Sequence, residues 1–275
     1  MFRQKTGSVV CASCGSLVGV NDDKCYNCGR RNPGLWGFGP LLRSLGNDLG
    51  FVPFVIGTCI VLYVLTLISS GGAIGMRGLM SLFAPSTPAL FLYGASGSLP
   101  VFGLGRWWTV LSAAWLHGSL LHILFNMLWV RQLAPAVEQL YGSGRLAVIY
   151  TVAGVAGFAL SNAVGIRFTL GASGAVFGLL GAMVAYGRSR GGAFGVAVLQ
   201  QYGRWALFIF LTSFFLAGVN NWGHAGGFAG GYVTALAVGH LERRAERGID
   251  RLAALAVAGV TALAFALAIW NGFLR

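Results

Sequence analysis

Seven apolar runs, each near the length of a membrane-spanning helix, occupy the chain after residue 50: residues 51–70, 119–140, 145–164, 173–189, 204–219, 223–241 and 252–270. A spanning helix needs about 20 such residues, because the hydrocarbon core is about 30 Å thick and each residue rises about 1.5 Å. Inside lipid every backbone N–H and C=O must be paired within its own segment or in a closed barrel, so runs of this length predict helices. Composition agrees: 9% of the residues are charged, against about 25% in soluble domains. Too few charges remain to cover a water-exposed surface, which excludes a soluble enzyme. The expected fold is an all-α polytopic membrane protein.

The first 50 residues read differently. They hold four of the five cysteines, in Cys11-Ala-Ser-Cys14-Gly and Cys25-Tyr-Asn-Cys28-Gly, two CxxC turns separated by ten residues. Each turn can aim two thiolates at one ion, and the following glycine permits the tight backbone. Together they make a tetrahedral four-cysteine zinc site. Two disulfides are the competing reading, disfavoured in a reducing cytosol. A closed four-cysteine site leaves no open position for substrate, so the zinc would be structural. Residues 1–34 then form a cytoplasmic zinc-ribbon-like segment and residues 35–50 a linker. A cytoplasmic protein partner for the ribbon is an open question at this level. No apolar core of a cleavable signal peptide precedes the first run. Cys59, alone in that run, reads as a packing residue.

Nineteen Lys and Arg against seven Asp and Glu give a net charge of +12. With the N-terminus in the cytoplasm, fourteen bases fall on the inner side. Arg77, Arg106, Arg167 and Arg275 fall outside, and Arg131 lies within a run. The positive-inside rule selects this orientation, with the C-terminus outside, in what is expected to be a bacterial plasma membrane. The +12 is therefore a topology label and not a nucleic-acid signal. The first outside loop, roughly 71–106, is too apolar for free water. It is expected to lie partly in the outer leaflet, followed by Trp107 and Trp108 at the interface.

Strongly polar side chains within spans are costly and mark function. His117, His122 and Asn126 open the second run, Ser173 the fourth and His224 the sixth. Even-numbered spans run from outside inward, so all five lie near the outer surface. Gly174 and Gly178, and Gly223, Gly227 and Gly231, recur at four-residue spacing, which lets two helices approach closely. Ser173 and His224 each sit beside the first glycine of a stripe, and a hydrogen bond between them is expected. Ser plus His points to a hydroxyl activated by a general base. The acids Asp22, Asp23, Asp48, Glu138, Glu242, Glu246 and Asp250 all fall on the cytoplasmic side, which leaves a dyad rather than a triad. Phe177, one turn below Ser173, is the candidate for holding the histidine. Oxyanion donors would come from the Ser173 N–H at a helix N-terminus and from His122 and Asn126, four residues apart on one face. His117 reads as a structural hydrogen-bonder and His240 as an interfacial residue.

These residues resemble the rhomboid family of intramembrane serine proteases. The GxSGxxxG pattern is met by Gly171, Ser173, Gly174 and Gly178, HxxGxxxG by His224, Gly227 and Gly231, and HxxxxHxxxN by His117, His122 and Asn126. The resemblance covers roughly residues 51–241. It implies a six-helix core, here with one C-terminal transmembrane helix added within residues 242–275. It also implies a serine nucleophile, a histidine base, a His/Asn oxyanion hole, no metal for catalysis, and transmembrane segments of other proteins as substrates. Two departures stand out. Thr109 follows Trp108 where the family often has arginine, with Arg106 the nearest replacement, and Phe177 stands where tyrosine is common. Glu138, at a place where members often carry an acid, reads as structural. The rival reading is a catalytically silent rhomboid-like binder of membrane proteins. A channel lacks a polar path, since the polar cluster stops in the outer half.

Overall fold

The computed structural model describes residues 4–11, 16–38, 50–76, 78, 81–216 and 218–273, in two compact units, Met1–Phe54 and Val55–Arg275. In the first unit, β1 (Ser8–Val10) and β2 (Leu17–Gly19) pair antiparallel with Val9 opposite Val18. Val9, Cys11, Val18, Val20 and Cys25 form its small core. The Gln4 N–H donates to Gly37 O at 2.9 Å, so the folded part runs past the boundary expected at residue 34.

Among the described residues, the second unit is carried by seven long helices: α1 (Phe51–Ser70), α2 (Leu120–Tyr141), α3 (Ser143–Ala163), α4 (Ser173–Arg190), α5 (Gly192–Ser213), α6 (Asn221–Val238) and α7 (Gly248–Phe273). Among the described residues, α1, α2, α3, α5 and α7 are long and apolar enough to cross a membrane. The two that fall short are the glycine-rich α4 and α6. They pack most extensively on each other, and α6 also packs closely on α3. Helices sheltered by their neighbours need small surfaces more than apolar ones. The result is a multi-pass helical protein with α4 at its centre.

One span differs from the sequence reading. The apolar pattern places the fifth span at 204–219, whereas α5 occupies Gly192–Ser213. Gly191 and Gly192, at φ +67° and +64°, turn the chain directly after α4. The helix therefore begins before Gln200 and Gln201, whose polarity hides its first half. Arg204 lies on an exposed helix face and not in a loop, which removes one base from the inner set without reversing the bias.

The loop between α1 and α2 is folded. It holds a helix at Thr87–Leu92, a wide turn at Leu99–Gly103 and two short turns through Trp115. Ala89, Leu90, Ala95 and Ser96 are buried, while Leu99, Phe102, Leu104 and Trp107 are exposed. One face thus packs on the helices and the other offers apolar side chains outward.

At the far end of the bundle, the connector from α6 to α7 is bound to Arg145. That side chain is fully buried. It donates to Gly239 O, Arg244 O, Ala245 O and Asp250 Oδ2, each at 2.9 Å. Arg244 also pairs with Asp250 at 2.6 Å, and Ser143 donates to Glu138 at 2.8 Å. His240 belongs to this connector and is buried, its ring 5.0 Å from that of Tyr186. Removing one partner from a buried ion pair leaves the other uncompensated. Arg145→Met is expected to destabilise the protein by about 3–5 kcal/mol, read as a lowered thermal midpoint in detergent. An unchanged midpoint would remove the network from the fold's support.

Candidate active site

Ser173 is the first residue of α4, and the segment leading to it is shaped by glycine. Gly171 has φ +120°. A Cβ there would come within 2.5 Å of His122 Nε2, so the position needs glycine both for its backbone and for its neighbour. Backbone bonds hold this segment: the Gly171 N–H donates to Ala113 O at 2.9 Å, and Thr169 pairs with Ser96.

α4 and α6 meet through their glycines. A Cβ on Gly227 would run into the Gly174 carbonyl, and one on Gly231 into the Gly178 carbonyl. A Cβ on Gly174 would lie 3.3 Å from Gly223 O, and one on Gly178 3.1 Å from Gly227 O. From α3, Gly157 adds a third surface, where a Cβ would stand 2.6 Å from Gly223 O. Ser173 is next to Gly174, and His224 is next to Gly223, so the contact brings their helix turns together. His224 is buried, with its ring stacked on Phe177 at a centroid distance of 4.3 Å and an interplanar angle of 17°. Phe177 meets Phe210 of α5 edge-on at 6.3 Å. The expected hydrogen bond between Ser173 and His224 is not formed in this structure. Catalytic hydrogen bonds are often long in resting enzymes and tighten with substrate.

His122 and its neighbours border the same place. Ser119 caps α2 by accepting from the His122 N–H at 3.2 Å. His122 Nδ1 accepts from the Gly118 N–H at 3.3 Å, which assigns the ring proton to Nε2, the atom beside Gly171. The Asn126 side chain donates to His122 O at 2.8 Å, so one of its two N–H groups is turned back along its own helix. His117 is fully buried and lies edge-on to His122 at 5.1 Å; it is placed by that ring contact, and neither ring nitrogen has a hydrogen bond of ordinary geometry.

The departure at Thr109 has a local explanation. Thr109 is fully buried, with its hydroxyl 2.8 Å from Arg106 O and 3.2 Å from Ser96 Oγ. Arg106 itself lies over the Phe91 ring at 5.2 Å. A short threonine therefore ties the loop where a longer arginine is common. The sequence reading missed Asn220, Thr169 and Ser161, which are joined by hydrogen bonds. An asparagine opening a glycine-rich helix is a readable N-cap signal; the other two carry none.

In the first unit the sulfurs of Cys11, Cys25 and Cys28 all lie within 4.8 Å of one another, Cys11 and Cys28 at 3.7 Å. Tetrahedral zinc–sulfur bonds of about 2.3 Å would set sulfurs about 3.8 Å apart, so this cluster can hold a metal ion. Cys14 lies outside the described residues.

The family model described as the Rhomboid domain matches residues 104–241, half of the chain, a range that includes His117, His122, Asn126, Ser173 and His224. This chain belongs to the rhomboid family. It is similar to "Rhomboid protease GluP" of Bacillus subtilis (strain 168), 34% identical over 158 residues, which are 56% of this chain and 30% of that protein. "RHOMBOID-like protein 5" of Arabidopsis thaliana is 38% identical over 107 residues, 38% of this chain and 34% of the relative. "Putative rhomboid protease YdcA" of Bacillus subtilis (strain 168) is 30% identical over 148 residues, 51% of this chain and 72% of that protein. The chain thus spans about a third of the length of the first two relatives. The cysteine-bearing unit and the whole of α7 of this rhomboid lie outside the region matched by the family model.

Proposed function

We propose that this rhomboid-family protein is an intramembrane serine endopeptidase that cuts transmembrane segments near the outer face with a Ser173–His224 dyad. The observation that carries the reading is the glycine-lined contact of α4 and α6. It sets a serine at a helix N-terminus beside a histidine braced by Phe177. Ser173 Oγ attacks the scissile carbonyl carbon as its proton passes to His224. The oxyanion accepts from unpaired N–H groups at the start of α4 and from His122 Nε2–H, with the second Asn126 N–H as a further donor. His224 then gives the proton to the leaving amine, and water releases the acyl group from Ser173 by the reverse sequence.

Within the second unit, Glu138, Glu242, Glu246 and Asp250 gather at the Arg145 end. From His224 to the end of α6 at Val238 the helix rises about 21 Å, so no carboxylate of this unit orients the imidazole. The Phe177 stack takes that part. α5 packs on α4 and only lightly on α6, which leaves the flank between α5 and α6 for a substrate helix to approach. An intact helix hides its carbonyls, so a substrate span must unwind locally before attack. The orientation follows the bases, N-terminus in the cytoplasm and C-terminus outside, in a bacterial plasma membrane. The test is incubation with a single-span reporter protein beside treatment with a fluorophosphonate. Cleavage of the reporter and a phosphonyl adduct on Ser173 are expected. Binding of the reporter with neither cleavage nor adduct would favour the silent-binder reading.

For the N-terminal unit, Cys11, Cys14, Cys25 and Cys28 are assigned to one structural zinc, with no part in catalysis. So small a core needs such a staple. Metal analysis is expected to find about one zinc per chain, lost in the Cys11→Ser, Cys25→Ser double variant while reporter cleavage persists. Full retention of metal in that variant would refute the ligand set.

A further inference from the structure

Asn220 stands four residues before His224, and Thr169 four residues before Ser173. Asn220 caps α6: its Oδ1 accepts from the Gly223 N–H at 3.1 Å and its carbonyl accepts from the His224 N–H at 3.2 Å. A serine could supply that cap as well. The amide nitrogen does something a serine cannot. It donates to Ser161 Oγ at 2.7 Å and to Thr169 Oγ1 at 2.9 Å, using both of its protons. Ser161, fully buried near the end of α3, donates in turn to Gly157 O at 2.8 Å. Thr169 is pinned by two backbone bonds to Ser96, at 3.0 and 2.8 Å. One side chain therefore joins the first turn of the His224 helix to the segment that delivers Ser173.

The glycine seam explains why such a tie is needed. Bare backbone surfaces bring α4 and α6 close, but they carry few interlocking side chains to resist sliding along the helix axes. A slide would change the separation of Ser173 and His224, and a misplacement of about 1 Å can cost about 100-fold in rate. The Asn220 amide anchors the same end of the seam that bears both reacting groups. We infer that Asn220 is a positioning residue for the dyad, its carboxamide setting the register between the His224 helix and the Ser173 segment. This rests on the protease reading above.

The test uses Asn220→Ser, which keeps a helix cap and removes both amide bonds, and Thr169→Val, which removes one bond from the other side at similar shape. Reporter kcat and KM and the rate of Ser173 phosphonylation are measured on full-length protein, with thermal midpoints alongside. Asn220→Ser is expected to lower kcat and the labelling rate about 10- to 100-fold, with KM held within about twofold. Thr169→Val should give a smaller loss, and the double variant should be no worse than Asn220→Ser, because both remove the same bond. A lowered midpoint with wild-type kcat and labelling would reduce Asn220 to a structural cap and overturn the inference. So would losses that multiply in the double variant. Absence of labelling and cleavage in the wild type would overturn the protease reading and this inference with it. Labelled wild type with equally labelled Asn220→Ser overturns the inference alone.

Discussion

Ser173→Ala and His224→Ala are each expected to lower reporter cleavage by at least about 1,000-fold, and the double variant is expected to be no slower than either single one. A nucleophile and its base act as one unit, so removing the second member of a broken pair costs nothing more. Non-additivity separates a dyad from two residues that merely support the fold. The structure makes this a clean comparison. Ser173 is only partly buried at the start of α4, and shortening it removes one hydroxyl. His224 is stacked on Phe177, so its loss opens a gap beside a ring already held by Phe210. Neither change touches the glycine contact. Losses that multiply, or a His224→Ala protein that still cleaves at the wild-type rate, would rule out the proton transfer assigned to His224.

Gly227→Ala should act on the fold itself. The added methyl would meet the Gly174 carbonyl, part of the α4 backbone, which has no rotamer by which to move aside. The two helices must part, and α3 is packed against the same stretch of α6. Overpacking of this kind typically costs about 1–3 kcal/mol and sometimes more, and the upper end is expected here because the obstacle is backbone. Cleavage should fall as well, since the contact sets the spacing of Ser173 and His224. Gly259→Ala in α7 is the matched control. Nothing lies within 4 Å of a Cβ there, so better helix propensity is the remaining effect. Thermal melting in one detergent should show a marked drop for the first variant and little or none for the second. Equal midpoints would mean that the α4–α6 seam is looser than its geometry implies.

Much of this was legible in the chain as written. Length and apolarity announced α1, α2, α3 and α7 to within a few residues, because lipid imposes one solution on the backbone. Glycine spacing announced the α4–α6 contact, because only small residues at one helical face let backbones touch. The start of α5 was hidden by Gln200 and Gln201, whose polarity says nothing about whether the backbone stays helical. At the site, Ser173, His224 and Phe177 could be proposed from their positions, since one helical turn relates the serine to the ring below it. Asn220, Thr169 and Ser161 could not be grouped, because their relation is a hydrogen-bonded meeting of three separate segments.

The sequence by itself determined that the chain is a helical membrane protein, where its spans mostly lie, that its acids are scarce, and which polar residues are out of place in lipid. Each of these follows from periodicity, counting or local spacing. Only the tertiary structure decided that Phe177 stacks on His224, that Thr109 ties the loop where arginine is common, that Arg145 holds the connector to α7, and that Asn220 bridges the two halves of the site. Those are contacts between segments far apart in the chain, and their geometry exists only once the helices have packed.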